Sequence, residues 1–83
     1  MTDELARQVR RIIAETFNVD EGEITNETTA DDVDGWDSLA HTILMVRLQR
    51  NLNLTIPETL AANSPTVGAL IEGLRKLREN DKS

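Results

Sequence analysis

The chain has no cysteine in its 83 residues. Disulfides and thiolate metal sites are therefore excluded, and no thioester can form on the protein's own side chains. Any acyl thioester would need an imported thiol. Aromatic residues are almost as scarce, with no tyrosine and only Phe17 and Trp36 beside ten Leu, six Ile and five Val. A core built from aliphatics accepts redistribution of volume, which permits a flexible apolar guest without requiring one. Long apolar runs are missing too. The longest, Ile43-Leu44-Met45-Val46, is far too short to span a bilayer, and the N-terminus has neither the basic start nor the apolar stretch of a signal peptide. The expectation is a cytoplasmic, monomeric chain with no membrane insertion. Basic residues are outnumbered nine to fifteen by acids, for a net charge of −6. That balance speaks against nucleic acid and for protein partners with basic docking patches. The length implies a single domain over residues 1–83, close to the smallest size that folds without staples.

What is present is mainly helical periodicity. Thr2, followed by Asp3 and Glu4, reads as a helix start, and Leu5, Val9, Ile12, Ile13 and Phe17 form one apolar stripe with Arg7, Arg10 and Arg11 outside it. From Asn18 to Asp37 the periodicity stops. This stretch holds eight acids (Asp20, Glu21, Glu23, Glu27, Asp31, Asp32, Asp34 and Asp37) and no basic residue. It reads as a long loop pinned by Val19, Ile24 and Val33, and loops of such length in small domains are often functional. A second helix is predicted from about Ser38 to Asn51, with Leu44, Leu48 and Leu52 on one line, Leu39, Ile43 and Val46 on another, and Met45 further round. That is more apolar surface than one core needs, so part of it should meet a partner or a guest. Pro57 to Ala62 makes a short helical turn. Ser64-Pro65 then reads as cap and first helical residue of a last helix carrying Val67, Leu70, Ile71, Leu74 and Leu77, and the tail 78–83 is expected to fray. The sum is an all-α fold: an antiparallel four-helix bundle of three long helices and one short, with a long first loop.

Three groupings invite a chemical reading. Asp37, Ser38 and His41 contain the residue types of a hydrolase triad, but the strand-to-helix elbow and Gly-x-Ser-x-Gly are absent, which leaves His41 as a solvated helix residue and no catalytic residue at all. Asp31, Asp32 and Asp34 before Gly35 suggest a calcium loop. The match breaks at both ends, with Ala30 and His41 where ligands are needed, so no metal site is expected. The third is Ser38 itself, standing between acid loop and apolar helix. Serine is a common helix cap, yet Asp37 can do that work as well, so Ser38 is either the cap itself or a hydroxyl kept free for chemistry.

An acidic loop, then Gly-x-Asp-Ser-Leu opening an apolar helix, then a short helix and a final one resembles the acyl carrier protein family over nearly the whole chain. The specific part is GWDSLAHTILMVRLQRNLNLTIP, Gly35 to Pro57. The resemblance implies a carrier and not an enzyme. In such carriers a serine hydroxyl, here Ser38, is joined by a phosphodiester to phosphopantetheine from coenzyme A, and the arm's thiol holds acyl or aminoacyl groups. A helix start suits a phosphodiester, since free amides and the positive dipole end favour an anion. Asp37 would cap in place of Ser38, Gly35 would make the tight turn, and Leu39 would flank the arm as a partner contact or pack in the core. Trp36 is expected to pack against the start of the second helix through Leu39 or Val33, with partner contact as its other possible role. The partners implied are a phosphopantetheinyl transferase and acyl or aminoacyl ligases or synthases.

One departure from the family pattern matters. General fatty-acid carriers resemble an acid-studded rod along the second helix, whereas this chain has no Asp or Glu from Ser38 to Pro57 and has Arg47 and Arg50 instead. Docking is then expected to be more apolar, through Leu39, Ile43, Met45 and Val46, with the acidic loop providing long-range steering. A specialised carrier with dedicated enzymes follows. The alternative is a small helical adaptor without prosthetic group, whose surplus apolar face binds a partner helix.

Overall fold

The computed structural model describes residues 4–62 and 64–80. The Thr2 cap and the end of the tail, residues 81–83, lie outside the described residues. Among the described residues four helices follow one another: α1 Glu4–Phe17, α2 Ser38–Leu52, α3 Glu58–Ala62 and α4 Val67–Asn80. Two single 3-10 turns, Glu21–Glu23 and Ala30–Asp32, interrupt the loop between α1 and α2. The described residues contain no strand, so the all-α helical bundle expected from the periodicity is the architecture found.

α1 packs on both α2 and α4, and α3 packs on α4. Val9 and Ile13 of α1, Leu44 and Leu48 of α2 and Leu74 of α4 are completely buried at the centre. The predicted stripes of α1 and α4 face this core, with Leu77 at its margin. α2 divides its surplus. Leu44, Leu48 and Leu52 turn inward as expected, while Leu39, Ile43 and Val46 stay exposed. Met45 is a correction: at 8% exposure it belongs to the core and not to the outer face. α2 ends at Asn53, whose left-handed backbone (φ 55°) lets the Leu54 N–H reach back to the Gln49 carbonyl at 3.2 Å. The Gln49 side chain then accepts the Ile56 N–H at 2.9 Å, which holds Ile56 against the core.

The long loop is knitted by its own polar groups as well as by Ile24 and Val33, both buried, and half-buried Val19. Thr28 is buried, and its hydroxyl accepts the Thr25 N–H at 2.9 Å. Asp32 accepts both the N–H and the hydroxyl of Thr29, and Glu23 accepts the Asp20 N–H. Two of the eight acids are thus tied to the loop's own turns. The loop is also fastened to α4. The N–H groups of Val67 and Gly68 donate to the carbonyls of Thr28 and Asn26 at 2.9 and 2.8 Å, so two amides that a helix start leaves open are satisfied by the loop. Gly68 permits this approach, since a Cβ there would lie 2.9 Å from the Asn26 carbonyl oxygen.

The start of α4 is a second correction. Thr66, and not Ser64, caps it, its hydroxyl accepting the Ala69 N–H at 3.1 Å. Ser64 instead donates its hydroxyl to the Leu60 carbonyl at 2.6 Å, closing the end of α3. The loop carbonyls fix where the open amides must stand, and that sets the helix start two residues beyond Pro65.

Candidate functional site

The site begins at the turn before α2. Gly35 has φ +87°, a region costly for residues with a Cβ, and around it Trp36 donates its N–H to the Val33 carbonyl. The chain then extends through Asp37 (φ −106°, ψ −172°) into α2. Asp37 Oδ1 accepts the Ala40 N–H at 2.8 Å, and the Asp37 carbonyl accepts the His41 N–H at 2.8 Å. Asp37 is therefore the cap. Ser38, the first residue of α2, is exposed, and its carbonyl accepts the Thr42 hydroxyl. Among the described residues none hydrogen-bonds its own hydroxyl. The free hydroxyl expected from the sequence is in place.

Trp36 is fixed on two sides. Phe17, the last residue of α1, stacks on the indole with ring centroids 5.0 Å apart and planes 22° apart. The indole N–H donates to His41 Nδ1 at 3.0 Å. The Trp36 and His41 rings are inclined by 24° with centroids 6.1 Å apart. An indole N–H lies in its ring plane, so such a bond between nearly parallel rings sets them side by side, not face to face. His41 is consequently no solvated helix residue: its imidazole is half-buried and bonded to the indole. The contacts expected for Trp36 with Leu39 or Val33 give way to Phe17 and His41. The triad reading finds no geometry either, because Asp37 holds a backbone amide, His41 Nδ1 is taken by Trp36 and neither reaches the Ser38 hydroxyl.

Ala30, Trp36, Asp37, Ser38 and His41 line a shallow open depression of about 400 Å³. From it an exposed stripe runs down α2 through Leu39, Ile43, Val46, Arg47 and Arg50, with Leu39 71% exposed. Neither Arg47 nor Arg50 has an ion-pair partner among the described residues, where the pairs formed are Arg11–Glu15 and Arg75–Glu72. No group of acidic or histidine side chains among the described residues converges on a metal-sized site. No helix among them is long and apolar enough to cross a membrane.

A family model for the phosphopantetheine attachment site matches residues 7–74. The acyl carrier protein of Clostridium perfringens (strain SM101) is 38% identical over 65 residues, which cover 78% of this chain and 86% of that protein. The acyl carrier protein of Porphyromonas gingivalis (strain ATCC 33277) is 30% identical over 73 residues, covering 88% of this chain and 94% of the relative. The chain belongs to the acyl carrier protein family. As an acyl carrier it is not an enzyme, and phosphopantetheine is its prosthetic group. It works with a phosphopantetheinyl transferase and with synthase or ligase enzymes, so the adaptor reading falls away.

The carrier's geometry suits that group. The exposed, unbonded Ser38 hydroxyl stands at a helix N-terminus, beside an open depression that leaves room for an arm. Phe17 and Ala30 are site residues that sequence reasoning missed. Phe17 looks like any other member of the α1 stripe, and only the return of the loop brings it against Trp36.

Proposed function

We propose that Ser38 is the attachment residue of the carrier, joined by a phosphodiester to the phosphopantetheine arm, with Asp37 and Leu39 as its flanking motif. The observation that carries this reading is the division of labour at the seam: Asp37 caps α2, and the Ser38 hydroxyl is exposed and unbonded among the described residues. The arm's thiol supplies thioester chemistry that a chain without cysteine lacks. The protein binds the arm at one end and leaves the other mobile. Intact mass after incubation with coenzyme A, magnesium and a broad-specificity phosphopantetheinyl transferase tests the reading. One phosphopantetheine is gained, and Ser38→Ala abolishes the gain while the helical signal survives. A variant that is still modified refutes the assignment.

The same proposal extends to the partners. Residues 1–83 act as one monomeric carrier domain in the cytoplasm, serving a dedicated acyl or aminoacyl ligase or synthase. Leu39, Ile43 and Val46 form the apolar part of the docking face, Arg47 and Arg50 its charged part, and Met45 supports the face from beneath. What supports this is the exposure of the three aliphatics together with the absence of any acid from Ser38 to Pro57. A helix of that composition favours a partner whose docking patch is apolar and not basic.

A further inference from the structure

The depression beside Ser38 has a wall that attachment of the arm does not explain. A hydroxyl needs no neighbouring indole to be modified, yet Trp36 and His41 lie side by side there, joined by a 3.0 Å hydrogen bond and backed by Phe17. Because the indole can only donate, His41 Nδ1 must be the acceptor, and a neutral imidazole then carries its proton on Nε2. Trp36 thus fixes the tautomer. Nε2 has no hydrogen-bond partner among the described residues, and His41 stands three positions after Ser38, on the same side of the first turn of α2.

We propose that Trp36 and His41 are the seat of the first part of the arm: His41 Nε2–H donates to the phosphodiester on Ser38, and the indole with Ala30 receives the methyl-bearing pantoyl unit next to it. The chemistry of the two halves matches. A phosphodiester offers anionic acceptors to a donor whose orientation is held from behind. The pantoyl unit carries two methyl groups, which an indole face takes up at little cost in order. His41 and Trp36 are positioning residues here: they hold the base of the arm so that its far end sweeps from a fixed direction along the Leu39, Ile43 and Val46 face. The inference rests on Ser38 as the attachment residue.

The experiment uses the modified protein, with the site of the added mass located by fragmentation. In the wild type, NMR should show cross-peaks between the Trp36 ring protons and the pantoyl methyl protons. The ¹⁵N signals of His41 should report a proton on Nε2 in the unmodified protein and should shift on modification. Trp36→Phe keeps a ring against Phe17 but removes the indole N–H, so its imidazole should show both tautomers and its phosphodiester ³¹P signal should move from the wild-type position. His41→Ala should move the ³¹P signal in the same way and weaken the methyl cross-peaks at least several-fold. Mass added at Ser38 with no ring-to-methyl cross-peaks, and with His41 signals identical before and after modification, overturns the seat and leaves the attachment reading standing. Mass added elsewhere, or not at all, overturns both.

Discussion

Asp37 Oδ1 receives the amide of Ala40 at 2.8 Å, and Ser38, between them in sequence, takes no part in that cap. With Ser38 as the proposed attachment residue, the two side chains separate stability from modification. Asp37→Ala should cost about 1 kcal/mol through loss of the cap, whereas Ser38→Ala should leave the unfolding free energy within about 0.5 kcal/mol of the wild type, as for an unbonded surface group. Urea unfolding of both variants checks this. Equal losses would mean that Ser38 shares the capping work.

The two stripes of α2 should answer differently to truncation. Leu48 is completely buried between the helices, so Leu48→Ala should cost about 2–5 kcal/mol of stability. Val46→Ala and Leu39→Ala remove exposed atoms and should lie within about 0.5 kcal/mol of the wild type. Their effect should appear as slower acylation by the cognate ligase, with a loss of about 1–2 kcal/mol in kcat/KM for Leu39→Ala if it anchors the docked complex. Chemical unfolding together with steady-state kinetics on the modified carrier separates the two stripes.

Arg47 and Arg50 are exposed and without ion-pair partners among the described residues. Facing a basic docking patch they repel, and rim charges act mainly on the encounter rate. Arg47→Glu with Arg50→Glu should therefore raise the acylation rate by a general fatty-acid enzyme at low salt, and added salt should erase the gain. No change at any ionic strength, with the fold intact, removes helix charge as the source of selectivity.

The loop is held to α4 through a contact that tolerates no side chain. A Cβ at Gly68 would stand 2.9 Å from the Asn26 carbonyl oxygen and 3.0 Å from its Cβ. Gly68→Ala should push that backbone away, and an overpacking cost of about 1–3 kcal/mol, set against at most roughly 1 kcal/mol that alanine gains over glycine in a helix, leaves a net loss of up to about 2 kcal/mol. Amide exchange at residues 67 and 68 should accelerate in the variant. A neutral or stabilising result would show that the loop is free to shift.

The helices, their order and the seam at Ser38 were legible because local rules govern them. The apolar stripes of α1 and α4 show at helical spacing, Gly35 and Asp37 announce the turn and cap that precede α2, and Ser38 stands out once its neighbour can cap. Those features depend on residues within a few positions of one another, and the sequence by itself determined them. Tertiary structure decided the rest. α2 is apolar on so much of its circumference that its pattern alone could not choose which line faces inward; packing against α1 put Met45 in the core and left Ile43 and Val46 outside. Thr66 became the cap of α4 because carbonyls of Asn26 and Thr28, some forty residues earlier, occupy its open amides. The Trp36–His41 pair crosses a helix boundary, and Phe17, nineteen positions before Trp36, backs it only after the acidic loop has folded back on α1. Periodicity and capping are short-range, but the partner of a ring or the occupant of an open amide is set by whichever distant segment arrives beside it, and that is settled only when the helices have packed.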